Sequence, residues 1–240
     1  MNLLQLRQQF RTLSGRHDLV DAAGADTGVD FFINAGQKHL DRLDETQKSW
    51  GICYRFCEPG HYHVSFPYCR AVKEVWAATI TARWQLEKKN LQDLIAEYFT
   101  KLPSGIDSGA VIYYSPTITR YIPENIVAAD FEAFIGYVDV ITADHYNYNA
   151  IIISPPTEEK LMIEVKGLFY TPELIEDTDK SYWSEVHPNV LIMATLREIE
   201  IINRNTQGVN DWDNAIVAAT TGIGKDLVEE MIAEVTQIGD

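Results

Sequence analysis

The chain has 240 residues, of which 46% are hydrophobic, so it can bury a substantial core and a disordered chain is not expected. Its 20 basic and 35 acidic residues give a net charge of −15, which disfavours general binding to nucleic acids because an acidic surface repels phosphates. The polar start predicts no signal peptide, and no run of about 18 apolar residues predicts a membrane span. The three cysteines, Cys53, Cys57 and Cys69, are expected to be reduced thiols in a protein made in a cytoplasm.

Helical spacing of apolar residues predicts two helices near the N-terminus. The first covers residues 3–13 and ends at Gly15, with Arg7 and Arg11 on its polar side. A loop over residues 18–28 follows, and Asp30 or Thr27 is predicted to cap a second helix that runs to about Asp44. The residues predicted for its apolar face are Phe31, Phe32, Ala35, His39, Leu40 and Leu43, and those for its polar face are Asn34, Gln37, Lys38 and Asp41.

After Trp50 the apolar residues recur with the period of a β-strand. Residues 51–57 and 61–66 are predicted to form a hairpin, because Pro59 and Gly60 between them favour a turn. A short helix capped by Asn90 is predicted near residues 90–99. Further strands are predicted over residues 71–81, 111–114, 134–141, 151–153 and 161–170, the last of them half-buried.

Helical spacing returns in the last quarter of the chain. A polar loop over residues 177–180 precedes Pro188, which suits the first turn of a helix that is predicted to end at Gly208. Two more helices are predicted, one over residues 212–219 and one after Gly222 and Gly224. Together these elements predict an α+β chain. Residues 1–48 and 172–240 would form a helical bundle, with a mostly antiparallel β domain inserted at residues 49–171.

Thiol and imidazole side chains are concentrated around the predicted hairpin, and zinc prefers such ligands. The candidates are Cys53, Cys57, His61, His63 and Cys69. On one strand, however, Cys53 and Cys57 would lie about 13 Å apart, too far to share one ion. No metal site is therefore predicted. A zinc-binding or hydrolytic protein that uses Cys57, His61 and His63 remains the alternative from a different class.

Other combinations of residues lack the features that their chemistry needs. The segment 220–226 suggests a phosphate loop, but Ala219 stands where glycine is required and Asp226 where serine or threonine is required. Two pairs of carboxylates, Glu158 with Glu159 and Asp177 with Asp179, lie in polar loops without a partner histidine or an apolar wall that would shift a pKa. Ser181, His187 and Asp179 are close in sequence, but that closeness does not establish the geometry of a nucleophile set. We therefore predict no catalytic, cofactor-binding or metal-binding residues, and expect a protein that is not an enzyme.

Tyrosine and tryptophan are frequent in the second half of the chain. Such side chains bury area and keep a polar group, which suits protein–protein contacts as well as cores. For any single tyrosine, core packing and an interface are equally good interpretations. The residues are Tyr113, Tyr114, Tyr121, Tyr137, Tyr146, Tyr148, Tyr170, Tyr182, Trp183 and Trp212.

Segments along the whole chain resemble, in the same order, those of one protein family. They are the helix of residues 3–11, the helix of residues 30–42 with Ile33-Asn34-Ala35, the strand of residues 70–76, Ile151 to Pro156 with its Pro-Pro pair, the strand of residues 164–170, and residues 182–191 with Arg197-Glu198 and Arg204-Asn205 after them. The family is that of the head-to-tail adaptor, or connector, proteins of tailed bacteriophages. Its pattern does not cover residues 106–148.

The resemblance implies a structural protein of the virion neck, made in the host cytoplasm. Copies of the chain, a dodecamer in this family, would form a ring under the portal and connect the capsid to the tail around the DNA channel. The implied partners are the portal protein, further copies of the chain, tail or nozzle proteins, and passing double-stranded DNA without sequence-specific binding, with no membrane. The resemblance carries over no catalytic residues. Another neck component, such as a tail-completion or stopper protein, is the near alternative.

Overall fold

The computed structural model describes residues 1–43, 50–66, 68–98, 107–117 and 149–236. The chain divides into two compact units, Met1–Ser49 with Tyr170–Asp240, and Trp50–Phe169. The first unit is helical and the second is built mainly of strands, which confirms the α+β class.

The helices and strands are α1 (Leu3–Ser14), α2 (Val29–Leu43), β1 (Trp50–Cys57), β2 (His63–Phe66), β3 (Cys69–Ala78), β4 (Arg83–Gln85), β5 (Glu87–Lys88), α3 (Leu91–Tyr98), β6 (Tyr113–Thr117), β7 (Asn149–Ser154), β8 (Leu161–Phe169), α4 (Tyr182–Val186), α5 (Pro188–Ile202) and α6 (Thr206–Thr236). The candidate strand at residues 134–141 lies outside the described residues.

In the helical unit, α1, α2 and α5 share one apolar core. The core includes Leu3, Leu6, Phe10, Ile33, Leu40, Leu191 and Ile199. Helix α1 begins where the side chain of Asn2 accepts a hydrogen bond from the backbone N–H of Gln5, and it is followed by Gly15 in the left-handed conformation at φ 67°. Only glycine adopts that conformation without steric cost, so the end of α1 is confirmed as predicted.

The predicted apolar face of α2 was right in part, since Leu40 is buried in the core and Phe32 packs against it, but other positions were assigned wrongly. Phe31 is 68% exposed, whereas Gln37 and Asp41, which were assigned to the polar face, are buried. The burial is possible because the Asp41 carboxylate accepts hydrogen bonds from Thr171 and Trp183, as described below. Arg7 of α1 was also expected to face solvent, and it is buried against carboxylates.

The residue that caps α2 also differs from both predicted ones. Asp26 accepts hydrogen bonds from the backbone N–H groups of Gly28 and Asp30 through its Oδ1. Thr27 instead donates its hydroxyl hydrogen to the carbonyl of Asp18. Asp26 was missed because it precedes the helix by three positions, where capping cannot be separated from ordinary turn chemistry by spacing alone.

The glycines of the C-terminal segment do not break it where expected. Helix α5 ends at Ile202, Arg204 adopts a positive φ of 57°, and α6 then includes Gly208 in its first turn. Helix α6 also continues through Gly222 and Gly224, where a loop was predicted. An isolated glycine costs a helix only about 1 kcal/mol relative to alanine, so flanking helix formers such as Leu and Met can outweigh it.

The described residues of the β unit form two four-stranded sheets, in the orders β1-β8-β3-β4 and β2-β7-β6-β5. Between these described strands the pairing is antiparallel except for that of β5 with β6, as expected for a mostly antiparallel domain. The predicted hairpin of residues 51–57 and 61–66 was wrong, because β1 pairs with β8 and β2 with β7. The turn at Pro59 and Gly60 therefore leads from one sheet to the other. The shared core includes Val75, Ile163 and Val165 from the first sheet and Val64, Ile151 and Ile153 from the second.

Gly167 lies where β8 meets an irregular part of β3. A Cβ at this position would stand 2.2 Å from the carbonyl oxygen of Ala71, well inside van der Waals contact. Since the obstacle is backbone, Gly167→Ala is expected to destabilise the β unit by about 1–3 kcal/mol. Thermal unfolding followed by calorimetry would measure this. Gly60→Ala is the comparison variant, because Gly60 has a positive φ of 81° but no atom within 4 Å of the added Cβ, so its effect contains backbone strain and no clash. An unchanged β transition in Gly167→Ala would contradict the packing described here.

Candidate functional site

Strand β1 forms one edge of its sheet. Its eight residues pair with β8 in a single register, from Trp50 opposite Leu168 to Cys57 opposite Leu161. Within the described residues no strand pairs with the other side of β1. An edge strand presents a row of backbone N–H and C=O groups that a further strand can pair with.

Alternate residues of β1 form an apolar row on one face of the sheet, because successive side chains of a strand point to opposite faces. The row consists of Trp50, Ile52, Tyr54 and Phe56, which are between 46% and 69% exposed. We call these four residues the β1 row. On the opposite face Cys57 belongs to the core of the β unit and Cys53 packs against it. One side of β1 thus builds the fold, and the other presents large apolar groups to solvent.

The charged side chains around the β1 row are paired within the chain. Lys160 forms an ion pair of 2.5 Å with Glu58, and its Nζ lies 4.9 Å from the ring centre of Phe56. On the same sheet Arg83 binds both carboxylate oxygens of Glu164, at 2.9 and 2.8 Å.

Trp76 of β3 lies between two cations of that face. The Arg83 guanidinium is 4.4 Å and the Lys166 ammonium 5.4 Å from its ring centre. Lys166 is also 3.7 Å from the carboxylate of Glu74. Lys160, Arg83 and Lys166 thus each pair with a glutamate, and the charges around the β1 row cancel although the chain as a whole is strongly acidic.

An exposed row of this kind is suited to contact with another protein. Aromatic and large aliphatic side chains bury much area when a partner covers them. A regular edge strand also offers a template for an added strand. The β1 row is therefore the candidate functional site, as a surface suited to recognition of another protein.

The proposed zinc ligands do not form a metal site in the described part of the chain. The buried thiol of Cys57 lies 3.7 Å from the carbonyl oxygen of His61, and burial, with the nearby Glu58 charge, raises its pKa to about 12. A zinc ligand must be a thiolate, which that environment disfavours. No group of three or more His, Cys, Asp or Glu side chains among the described residues is arranged to hold a metal ion. Elemental analysis of the purified chain tests this, since stoichiometric zinc would contradict it.

The segment that suggested a phosphate loop is helical. The hydroxyls of Thr220 and Thr221 donate to the carbonyl oxygens of Ile216 and Val217, one turn earlier in α6. The backbone N–H groups that a phosphate loop would offer are therefore part of a continuous helix.

The candidate carboxylates and hydroxyl of residues 177–187 have structural roles. Asp177 forms an ion pair with Arg7. Asp179 accepts hydrogen bonds from the backbone N–H groups of Ile175 and Glu176, and these bonds hold its pKa below the ordinary value. Ser181 caps α4, and His187 lies 3.3 Å from the hydroxyl of Tyr182. The structure thus does not bring Ser181, His187 and Asp179 together as a nucleophile set.

The other carboxylate pair borders a cavity in the β unit. The cavity has a volume of about 350 Å³, and its lining includes Trp84, Val111, Thr157, Glu158, Glu159 and Leu161. Both glutamates are exposed to solvent at the rim of this cavity.

The tyrosines and tryptophans singled out by sequence serve mostly as packing groups where they are described. Tyr114 is buried in the β core, and Trp183 donates its Nε1 hydrogen to Asp41. Tyr121, Tyr137, Tyr146 and Tyr148 lie outside the described residues. Sequence reasoning missed the β1 row as a site, although its alternation of Trp50, Ile52, Tyr54 and Phe56 was visible. The signal was overlooked because alternation alone does not tell which face of a strand is covered.

A titratable cluster joins α2, α5 and α6 within the helical unit. His39 lies 3.5 Å from Asp213, which in turn accepts a hydrogen bond from Arg197. Burial, together with the nearby Arg197 cation, lowers the pKa of His39 below its ordinary value of 6.5, although Glu198 and Asp213 act in the opposite direction.

Since the unfolded chain binds a proton at His39 more readily, the helical unit is expected to lose stability as pH falls below about 6.5. Urea unfolding followed by circular dichroism at pH 7.5, 6.5 and 5.5 checks this. In the variant His39→Gln the loss should be smaller than in the wild type. An equal loss in both proteins would assign the pH dependence to other groups.

No protein-family model matches this chain, and no curated protein shows a significant match to it. None of the helices in the described ranges is long and apolar enough to cross a membrane. The assignment of function therefore depends on the β1 row, the charge of the chain and the resemblance of its sequence segments.

Proposed function

We propose that this protein is a non-enzymatic structural protein of a tailed-phage virion, a head-to-tail adaptor. Copies of it form a dodecameric ring under the portal and connect the capsid to the tail around the DNA channel. The observation that carries the proposal is the β1 row, a large exposed apolar surface on an edge strand. Large exposed apolar surfaces are typical of proteins that assemble with other chains.

A closed ring needs a contact between two different surfaces of each subunit, repeated by rotation. The exposed side chains of the helical unit supply further apolar surface for this, including Phe31, Ile175, Ile202 and Val217. The portal protein and the tail or nozzle proteins are the partners on either side of the ring. Its place is the virion neck, after synthesis in the host cytoplasm.

The net charge of −15 is compatible with a conduit for DNA. An acidic wall repels the phosphate backbone, so double-stranded DNA can pass without being retained or read by sequence. We expect that the isolated chain does not retard duplex DNA in a gel at low salt, where electrostatic binding is strongest.

Electron microscopy of the full-length chain mixed with the portal protein of its phage tests the proposal. The expected result is a ring of added density on one face of the portal, with the rotational symmetry of the portal. A chain that never decorates the portal would contradict it. Density at a more distal position of the neck in whole virions would instead indicate the tail-completion or stopper alternative.

A further inference from the structure

We propose that strand β1 pairs antiparallel with β1 of a second copy of this chain, so that one sheet continues across a two-fold dimer. The contact is self-complementary and differs from the rotational contact that closes a ring. It goes beyond the adaptor role but draws on the same β1 row, so the contact that closes a ring would use the exposed apolar side chains of the helical unit, such as Phe31 and Ile202.

The spacing of the β1 row selects the register of this pairing. Residues directly opposite each other in an antiparallel pair lie on the same face, so row residues must oppose row residues. Only a register centred on Cys53 pairs all four of them. It places Trp50 opposite Phe56 of the second copy and Ile52 opposite its Tyr54. These aromatic–aromatic and aromatic–aliphatic pairs are among the combinations that stabilise sheets.

The charge distribution favours a second copy as the occupant. Each chain carries a net charge of −15, so two copies repel each other over most of their surface. The β1 row has no ionisable side chain except the Tyr54 hydroxyl. The cations Lys160, Lys166 and Arg83 nearby are paired with Glu58, Glu74 and Glu164, respectively. Copies can therefore meet at this neutral face with little repulsion, and a basic partner would find no excess negative charge there.

The two edges of the sheet are protected to different degrees. At the far edge, β4 has only three residues and carries the charged Arg83. Next to it, β3 shows two register shifts against β8. Strand β1, by contrast, has eight residues, contains no proline and pairs with β8 in one uninterrupted register. Short strands, charges and bulges are the usual means of blocking edge pairing. Of these, β1 has one charge, that of Arg55, which lies on the face opposite the β1 row.

Sedimentation equilibrium of the full chain over a range of concentrations is the first test. The wild type is expected to show a monomer–dimer equilibrium. Ile52→Lys and Tyr54→Lys, each of which brings one lysine charge from each copy into the apolar contact, should raise the dissociation constant by about tenfold or more. Ile80→Lys is the matched control, because Ile80 is fully exposed in the turn that leads to β4. Circular dichroism would verify that all three variants remain folded.

A wild type that stays monomeric at every concentration overturns the proposal. So does a dimer that Ile52→Lys and Ile80→Lys weaken equally. Decoration of the portal is a separate measurement on the same proteins, so loss of the dimer and failure of the adaptor role can be told apart.

Cys53 provides a second test, because the proposed register places it opposite Cys53 of the second copy. Opposed residues of a sheet have Cα atoms about 4.5–5.5 Å apart, a distance that a disulfide can span. Cys53 is a partly exposed free thiol, whereas Cys57 and Cys69 are buried. Oxidised glutathione, which accepts the two electrons and two protons of the thiols, should produce a covalent dimer in the wild type. The dimer should be absent from Cys53→Ser. Cross-linking that persists in Cys53→Ser contradicts the register.

Discussion

Asp41→Ala is expected to destabilise the helical unit by about 3–5 kcal/mol, the largest effect that we predict for a single substitution. The carboxylate of Asp41 is buried and accepts three hydrogen bonds. Its Oδ2 accepts from the backbone N–H of Thr171 at 2.7 Å, and its Oδ1 accepts from the Thr171 hydroxyl at 2.9 Å and from Nε1 of Trp183 at 2.8 Å. Alanine would leave these donors without their acceptor and a small void beside the indole.

Scanning calorimetry of the wild type and the variant would measure this change. The chain has two compact units, so the transition of each unit must be resolved before a free energy is assigned. Asp18→Ala is the control, because Asp18 is an exposed carboxylate of the same unit. Among the side chains of the described residues, it is hydrogen-bonded to Arg16 alone. Equal changes in the two variants would contradict the role assigned to Asp41.

The sequence predicted elements that are determined by neighbouring residues. The end of α1 at Gly15 and the start of α5 at Pro188 each follow from the backbone preference of one residue. The α+β class followed from the change of period near Trp50 and the return to helical spacing after Tyr170. Such features need no knowledge of the partner segment, which explains why local patterns suffice for them.

Features that depend on distant partners could not be predicted in this way. Asp41 is buried because Trp183, distant in sequence, donates to it, and no local pattern reveals that donor. Strand β1 was predicted, but its partner β8 lies more than a hundred residues later in the sequence. The prediction therefore paired β1 with the nearby segment 61–66. The exposure of the β1 row likewise depends on which face of the sheet meets the second sheet. The sequence shows that apolar residues alternate along β1, but the packing of the two sheets determines which of the alternating side chains are exposed.

Arg7→Leu is expected to destabilise the helical unit by about 3 kcal/mol, while the similar variant Arg16→Leu should change its stability little. Both arginines bind an aspartate with two nitrogen atoms. Arg7 contacts Asp30 at 2.7 and 2.6 Å, and Arg16 contacts Asp18 at 2.9 and 2.8 Å. The side chain of Arg7 is only 6% exposed, whereas that of Arg16 is 37% exposed.

The difference in burial, rather than the geometry of the pair, should decide the outcome. Arg7 also binds Asp177 and thereby joins α1, α2 and the loop before α4. Its loss leaves two carboxylates facing each other without a cation, whereas water can replace Arg16. Adding Asp30→Asn to Arg7→Leu should recover part of the lost stability, because it removes one of the unpaired charges. If the double variant is less stable than Arg7→Leu, packing of the arginine stem would account for the effect instead of the unpaired charge.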